Sequence, residues 1–249
     1  MVHQAPTSIP WYVDAFDELY PLLYPHRDDA SADQQIAALR SWLNLPPSQR
    51  VLDVACGAGR HLASLRRSGA DAWGLDLSVP LLARAAARAE CRGRVVRCDM
   101  RAIPFGPVFD LVVNLFSSFG YFQHDHDNQR ALHEMAGVLR PGGRLVIDHI
   151  HADHLTRTLT RDSQSAHGST TVVHHRTIED QRVVKRSTIT FEDGSTRRVT
   201  ESVRLYQSRE LSQMMKLAGL SDPTTCGDFN GSPLTDDADR MILTATRPR

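Results

Sequence analysis

The sequence predicts an α/β protein built on a mostly parallel sheet with helices on both faces. Three observations predict it. Strand-like apolar runs alternate with helical ones from Arg50 to His149, the pattern of successive βαβ units. The run Phe109 to Leu115 is almost wholly apolar, as befits a parallel strand covered on both faces. A glycine turn within Val51 to Gly59 joins the first strand to a helix. With 249 residues, 41% of them hydrophobic, the chain can bury one sizeable core. A single domain over 1–249 is therefore expected. Its parts are an N-terminal helical cap (1–47), a core (48–150), an antiparallel β insertion (151–207), and a last helix with the final strands (208–249).

Each element has a local cause. Ile9 to Asn44 carries helical patterning and is aromatic at its start (Trp11, Tyr12, Phe16, Tyr20, Tyr24); Pro46 and Pro47 close it. Val51 to Ala55 is a short strand holding one acid, Asp53. Arg60 to Arg67 reads as a helix ended by Gly69, and Ala72 to Leu77 as the next strand. Ser78 can cap a helix over Leu81 to Glu90, with Pro80 in its first turn and Leu81, Leu82, Ala85 and Ala89 buried. Arg94 to Cys98 and Phe109 to Leu115 are the third and fourth strands. Leu132, Met135, Ala136 and Leu139 place a helix over Asn128 to Leu139. Pro141-Gly142-Gly143 ends it, and Arg144 to His149 is the fifth strand. Three strands follow: Thr170 to Thr177, Arg182 to Phe191 and Thr196 to Tyr206, with a hairpin turn at Glu192-Asp193-Gly194. Val199, Val203 and Leu205 keep the two-residue period of a half-buried sheet. A helix over Arg209 to Leu217 and a strand over Met241 to Thr246 complete the chain.

Composition excludes several classes of function. The formal net charge is zero, so neither nucleic acid nor an anionic membrane is an expected partner. No run of 18 apolar residues exists to span a membrane, and Met1 to Pro10 lacks the build of a signal peptide. Cys56, Cys91, Cys98 and Cys226 form no C-x-x-C pair. No metal site is expected, and free thiols suit a cytoplasmic protein.

The chemistry concentrates in the first glycine turn. Gly57 and Gly59 let the backbone pass close under a ligand, where a β-carbon would collide. A dinucleotide would want a third glycine where Leu62 stands. Asp53 beside the turn disfavours a pyrophosphate and suits a cationic ligand end such as an amino-acid ammonium. Asp76 ends the second strand, 19 residues beyond Gly57, where an acid can accept both hydrogen bonds of a ribose diol. Asp99 and Met100 end the third strand. The acid can accept from an adenine amino group, and the thioether packs on a purine face.

The stretches VLDVACGAGRH, GLDLS, CDMRAIPF, FDLVVNLFSSFGYF and LRPGGRLVID together resemble the class I S-adenosylmethionine-dependent methyltransferases, over about Tyr12 to Tyr206. Tyr24 to Asp28 and FSSFGYF are similar to a bacterial branch acting on small molecules, some on amino groups of sugars or amino acids. The resemblance implies a Rossmann-like fold with a mostly parallel seven-stranded sheet. It implies S-adenosyl-L-methionine as cofactor, held by Asp53, Ala55, Gly57, Gly59, Asp76, Leu77, Asp99 and Met100. Asn114 and Leu115 would line the pocket near the methyl group. Tyr24 and Arg27 would grip the cofactor carboxylate or close the site, with Arg60 as a further contact. The expected reaction is methyl transfer to nitrogen or oxygen of a small-molecule acceptor by a monomer or homodimer.

His149, His151 and His154 follow strand five, and His124 and His126 follow strand four. Histidine has a pKa suited to removing a proton. His149 and His151 share one side if the strand continues, and both are candidate bases; Tyr121 is a candidate for the acceptor pocket. A non-methyl outcome on the same cofactor, an RNA acceptor and a non-catalytic cofactor-binding role stay open. The segment Ala152 to Gln207 is expected to govern the acceptor and not the cofactor.

Overall fold

The computed structural model describes residues 10–24 and 27–249. The expectation for the start of the chain, Ile9 included, lies outside these residues.

The predicted N-terminal helix is three helices: α1 (Trp11–Ala15), α2 (Tyr20–Leu23) and α3 (Asp29–Leu43). The breaks have causes. Phe16 ends α1 outside helical geometry. Asp28 restarts the chain as an N-cap, its carboxylate accepting from the Ser31 backbone N–H at 2.8 Å, which satisfies one of the orphan donors of a helix start. Asn44 closes α3 in the left-handed region.

The core then alternates as expected: β1 (Arg50–Val54), α4 (Arg60–Arg67), β2 (Asp71–Asp76), α5 (Val79–Ala87), β3 (Val95–Arg97), β4 (Phe109–Asn114), α6 (Asp125–Gly137) and β5 (Leu139–Ile150). Ser78 caps α5 through the Leu81 N–H. That helix stops at Ala87, because Arg88 is extended, so Ala89 is exposed and not buried. Pro141-Gly142-Gly143 does not separate α6 from β5. It lies inside β5 at a register shift against β4. A β-carbon on Gly143 would stand 3.0 Å from the Phe109 carbonyl oxygen and 2.9 Å from that of Arg140, so only glycine fits this irregularity.

Beyond β5 come α7 (Ala152–Thr158), β6 (Asp162–His167), β7 (Thr170–Glu179), β8 (Arg182–Thr190), β9 (Thr196–Arg204), α8 (Ser208–Leu217), β10 (Ser221–Cys226) and β11 (Arg240–Thr246). The main sheet has seven strands in the order β10-β11-β5-β4-β1-β2-β3. Only the pairings of β11 with β5 and β10 are antiparallel among them. Residues alternate between two cores. Val51, Leu111, Val113 and Val146 face α3 and α4; Leu52, Val112, Leu145 and Ile147 face α6 and α8. Both faces are thus covered, which is why these strands read as continuous apolar runs.

The insertion is a four-stranded antiparallel sheet, β6-β7-β8-β9. Three of its strands follow the expected pattern; β6, with the polar sequence DSQSAH, does not. Its apolar face (Val172, Ile189, Val199) packs on Ala15 and Leu23 of the N-terminal segment, with Trp11, Leu19 and Tyr24 beside them. Residues 10–24 thus form a strap sharing a small core with the insertion. Arg182 ties the insertion to the main body. Its guanidinium donates to the carbonyls of Gly120, Tyr121 and Phe122 at 3.0–3.1 Å and to Ser202. Arg182→Met should strand these buried acceptors and lower stability by about 3 kcal/mol, read as a lower urea midpoint at unchanged slope.

Candidate functional site

All parallel strands end on one edge of the sheet, and the chain leaving them forms a crevice of three adjoining chambers. Their volumes are about 630, 660 and 1020 Å³. Tyr20 lines all three, Phe116 the second and third, and Ser118 the first and second.

The first chamber lies over the ends of β2 and β3, where Asp76, Leu77, Asp99 and Met100 meet. Asp76 accepts from the Gly57 and Ser78 backbone N–H groups, both at 2.8 Å. One bond to each oxygen leaves further lone pairs for a ligand. Burial pushes its carboxyl upward against the pull of these N–H groups. Asp99 already holds Arg101 in a two-pronged ion pair. Tyr12, Phe16, Tyr20 and Tyr121 close the chamber from the strap and the loop after β4.

The second chamber gathers Tyr24, Arg27, Asp53, Ala55, Gly57, Arg60 and Leu115. Gly57 has φ +54° and nothing but Leu81 Cδ1, 3.9 Å away, near its missing β-carbon. The space over it is open. Gly59 differs from expectation. A β-carbon there would meet Ala85 Cβ at 2.9 Å and Cys91 Sγ at 3.3 Å, so it is needed for α4–α5 packing and not for ligand approach. Asp53 is buried, with Oδ2 unpaired, and burial pushes its carboxyl up to about 8. Arg27 Nε and Arg60 Nη2 are likewise buried without partners. The guanidiniums of Arg27, Arg60 and Arg240 all lie over the Phe116 ring, 4.7, 4.1 and 4.3 Å from its centre. Burial and the neighbouring Arg27 lower Arg60 to about 10. One buried carboxyl with a free oxygen shares this chamber with cations that have spare donors, a set suited to an amino-acid zwitterion. Asn114 lies outside the chambers. It is fully buried, and its amide donates to the Val54 carbonyl at 3.0 Å, tying β4 to β1.

The third chamber is bounded by Tyr121, His149 and Arg240 on one side and by Arg176, Lys185 and Glu201 of the insertion on the other. Lys185 and Glu201 are opposite each other on β8 and β9, paired at 3.1 Å. The Tyr24 hydroxyl donates to Glu201 at 2.5 Å and accepts from Lys185 at 2.8 Å. Burial carries the Tyr121 phenol far above its ordinary pKa, so it serves as a donor rather than a base at neutral pH. His149 is fully buried, and burial lowers it to about 4.

The other histidines part from it. The strand ends at Ile150, and His151 turns away at the start of α7, its Nδ1 2.7 Å from the Ala238 carbonyl. His154 sits beside it, His126 is exposed next to Asp127, and His124 lines a separate open groove. None of these reaches the chambers. Sequence reasoning also missed Phe116, Arg240, Lys185 and Glu201. The two insertion residues carry a faint signal, as charged residues directly opposed in a strand pair; Arg240 carries none, since its partner Asp148 is 92 residues away. Among the three chambers the insertion lines only the third, while the strap packed on it supplies Tyr12, Phe16 and Tyr20 to the first.

Among the described residues no cluster of three metal-ligating side chains occurs, and no helix is long and apolar enough to cross a membrane. Residues 51–143 match the family model of the methyltransferase domain. A demethylmenaquinone methyltransferase of Mycolicibacterium paratuberculosis is 45% identical over 111 residues, 44% of this chain and 45% of that protein. A dTDP-3-amino-3,4,6-trideoxy-alpha-D-glucopyranose N,N-dimethyltransferase of Streptomyces venezuelae is 36% identical over 53% of this chain and 55% of its own. The chain thus spans about half the length of the curated relatives it matches. Among solved structures, a sugar N-methyltransferase from Streptoalloteichus sp. aligns over 100% of both chains with a TM-score of 0.73 and 27% identity. An S-adenosylmethionine-dependent methyltransferase from Clostridium acetobutylicum shares the fold, with a TM-score of 0.76 at 18% identity over 93% of this chain and 96% of that one. The family model falls on the strands and turns that build the first two chambers, so residues 51–143 carry a methyltransferase domain, and the likeness in fold to S-adenosylmethionine-dependent methyltransferases runs the length of the chain.

Proposed function

We propose that the protein methylates an amino group of a small, sugar-like acceptor bound in the third chamber. The observation that carries this reading is the chamber itself. It adjoins the cofactor chambers across Phe116 to Ser118 and is walled by buried polar side chains of the insertion. The likeness to a sugar N-methyltransferase over the whole chain supports nitrogen as the attacking atom. The demethylmenaquinone relatives align over only 44% of the chain and bear less on the acceptor.

The residues present fit the cofactor. Asp53 would take its ammonium, Arg27 and Arg60 its carboxylate, and Asp76 its ribose. Leu77 and Met100 would pack on the adenine, with Asp99 at its rim. S-adenosylmethionine supplies an electrophilic methyl group: the acceptor lone pair forms the new bond to carbon as the C–S electron pair returns to sulfur. The chain's own task is then orientation and exclusion of water. The strap covers the first chamber with aromatic rings, and Tyr24, on both the second and third chambers, fixes their relation through Lys185 and Glu201.

Three outcomes test this. Gly57→Val should abolish cofactor binding in calorimetry with little change in fold, because the side chain would enter open space over the turn; binding at ordinary affinity would remove the turn from the site. Asp53 carries a proton in the folded protein up to about pH 8, whereas an unfolded carboxyl loses it near 4. Stability therefore falls as pH rises through that window, and a bound ammonium should expel the proton. Calorimetry at pH 6.5 in buffers of different ionisation enthalpy should show close to one proton released on S-adenosylhomocysteine binding, and none in Asp53→Asn. Finally, incubation with S-adenosylmethionine and a panel of dTDP-linked amino sugars should give methylated amines by mass spectrometry. Cofactor turnover confined to hydroxyl or RNA acceptors would overturn the amine reading.

A further inference from the structure

One buried polar atom in the acceptor chamber has no function yet. His149 lines that chamber with its Nδ1 buried and unpartnered. Its other ring nitrogen is spoken for. Nε2 lies 3.0 Å from the Arg204 backbone carbonyl. A carbonyl oxygen can only accept, so Nε2 carries the ring hydrogen. The Tyr206 backbone N–H also points at Nε2 from 3.4 Å; the shorter contact to the Arg204 carbonyl, which exists only with a hydrogen on Nε2, sets the tautomer. The rings of Phe119 and Tyr206, with centres 6.5 and 5.9 Å from that of His149, hold the imidazole plane. The tautomer is thereby fixed, and Nδ1 is left as a buried lone pair without a partner on a residue that lines the chamber.

We propose that His149 Nδ1 accepts a hydrogen bond from the attacking group of the acceptor, aiming its lone pair, and so admits only nucleophiles that still carry a hydrogen. This rests on the methyl-transfer reading above and adds to it a substrate rule and a stopping point. A primary amine offers one hydrogen to Nδ1 while its lone pair attacks. The monomethylated product still has one to offer. A tertiary amine has none, so the reaction ends at the dimethylamine and no quaternary ammonium forms. His149 works here as an orienting acceptor and not as a proton sink. Burial holds it neutral at ordinary pH, and the proton of each new ammonium stays on nitrogen until the product reaches water. The Arg204 guanidinium adds to burial in disfavouring a charged ring, and Arg240, Lys185 and Arg176 are the other cations that share the chamber.

Two variants and one spectroscopic measurement test the proposal. In His149→Gln the amide nitrogen can still reach the Arg204 carbonyl, but the acceptor at the Nδ1 position is lost. In His149→Asn an amide oxygen stands near the Nδ1 position. The expected result is S-adenosylhomocysteine affinity within about threefold of the parent for both. Turnover of dTDP-3-amino-3,4,6-trideoxyglucopyranose should fall about 50-fold or more in the glutamine variant and be largely kept in the asparagine variant. Independently of turnover, nitrogen NMR on histidine-labelled protein should show His149 protonated on Nε2 alone. With S-adenosylhomocysteine bound, the Nδ1 resonance should move when the amino sugar is added. Loss of turnover in both variants, full turnover in the glutamine variant, a proton on Nδ1 or a trimethylated product would each overturn the proposal. So would an Nδ1 resonance indifferent to the amino sugar. If no amine is methylated by the parent protein, the transfer reading fails, while the resonance shift still decides whether Nδ1 receives the acceptor.

Discussion

A carboxylate with no exposed surface, Asp148 on β5, fixes the boundary on which the rest of the site depends. It accepts from the Phe116 backbone N–H at 2.7 Å and is paired with Arg240. The Asp148 carbonyl accepts from the Ser117 N–H at 3.0 Å. Phe116 and Ser117 both have positive φ, 61° and 60°, a conformation that costs on the order of 1–3 kcal/mol per non-glycine residue and persists only where the surroundings impose it. Strand β5, a buried ion pair and a main-chain bond impose it here. Phe116 lines both the second and the third chamber, and its ring is the platform on which three guanidiniums rest. Removing Arg240 would leave the fully buried Asp148 carboxyl without its ion-pair partner.

The second constraint is that the site has two floors but one roof. The main sheet supplies Asp53, Asp76, Asp99 and the glycine turn. The strap and insertion, sharing a core of their own, cover these from the other side. Nothing in a one-dimensional pattern shows that Val172, Ile189 and Val199 of the insertion find their partners in Ala15 and Leu23.

Much of the main sheet was legible because buried parallel strands are apolar throughout and their helices carry caps and breakers. Ser78 and Gly69 marked ends correctly. Where local rules failed, a long-range contact had replaced them. Pro141-Gly142-Gly143 reads as a stop, yet it lies within β5 because Gly143 lets the strand pass the Phe109 carbonyl closely. Strand β6 carries no apolar alternation to announce it. In the site, the acids ending strands could be found because the topology sends all those ends to one edge. Asn114 and Gly59 shared that address, but one is turned inward and the other packs on α5. The histidines show the same limit. His149 and His151 differ by two residues, and only the end of the strand at Ile150 decides that one faces the crevice and the other does not.

The shared core of strap and insertion also bears on how such proteins can diversify. A change of acceptor preference made by exchanging residues 152–207 between relatives would set a foreign sheet against the resident Trp11, Ala15, Leu19 and Leu23. The pieces that must travel together are thus remote in the gene and adjacent in space. Recombination at a single crossover would tend to break the match, whereas paired replacement of both would preserve it. The strap and the insertion are thus one packing unit made of two separate stretches of chain.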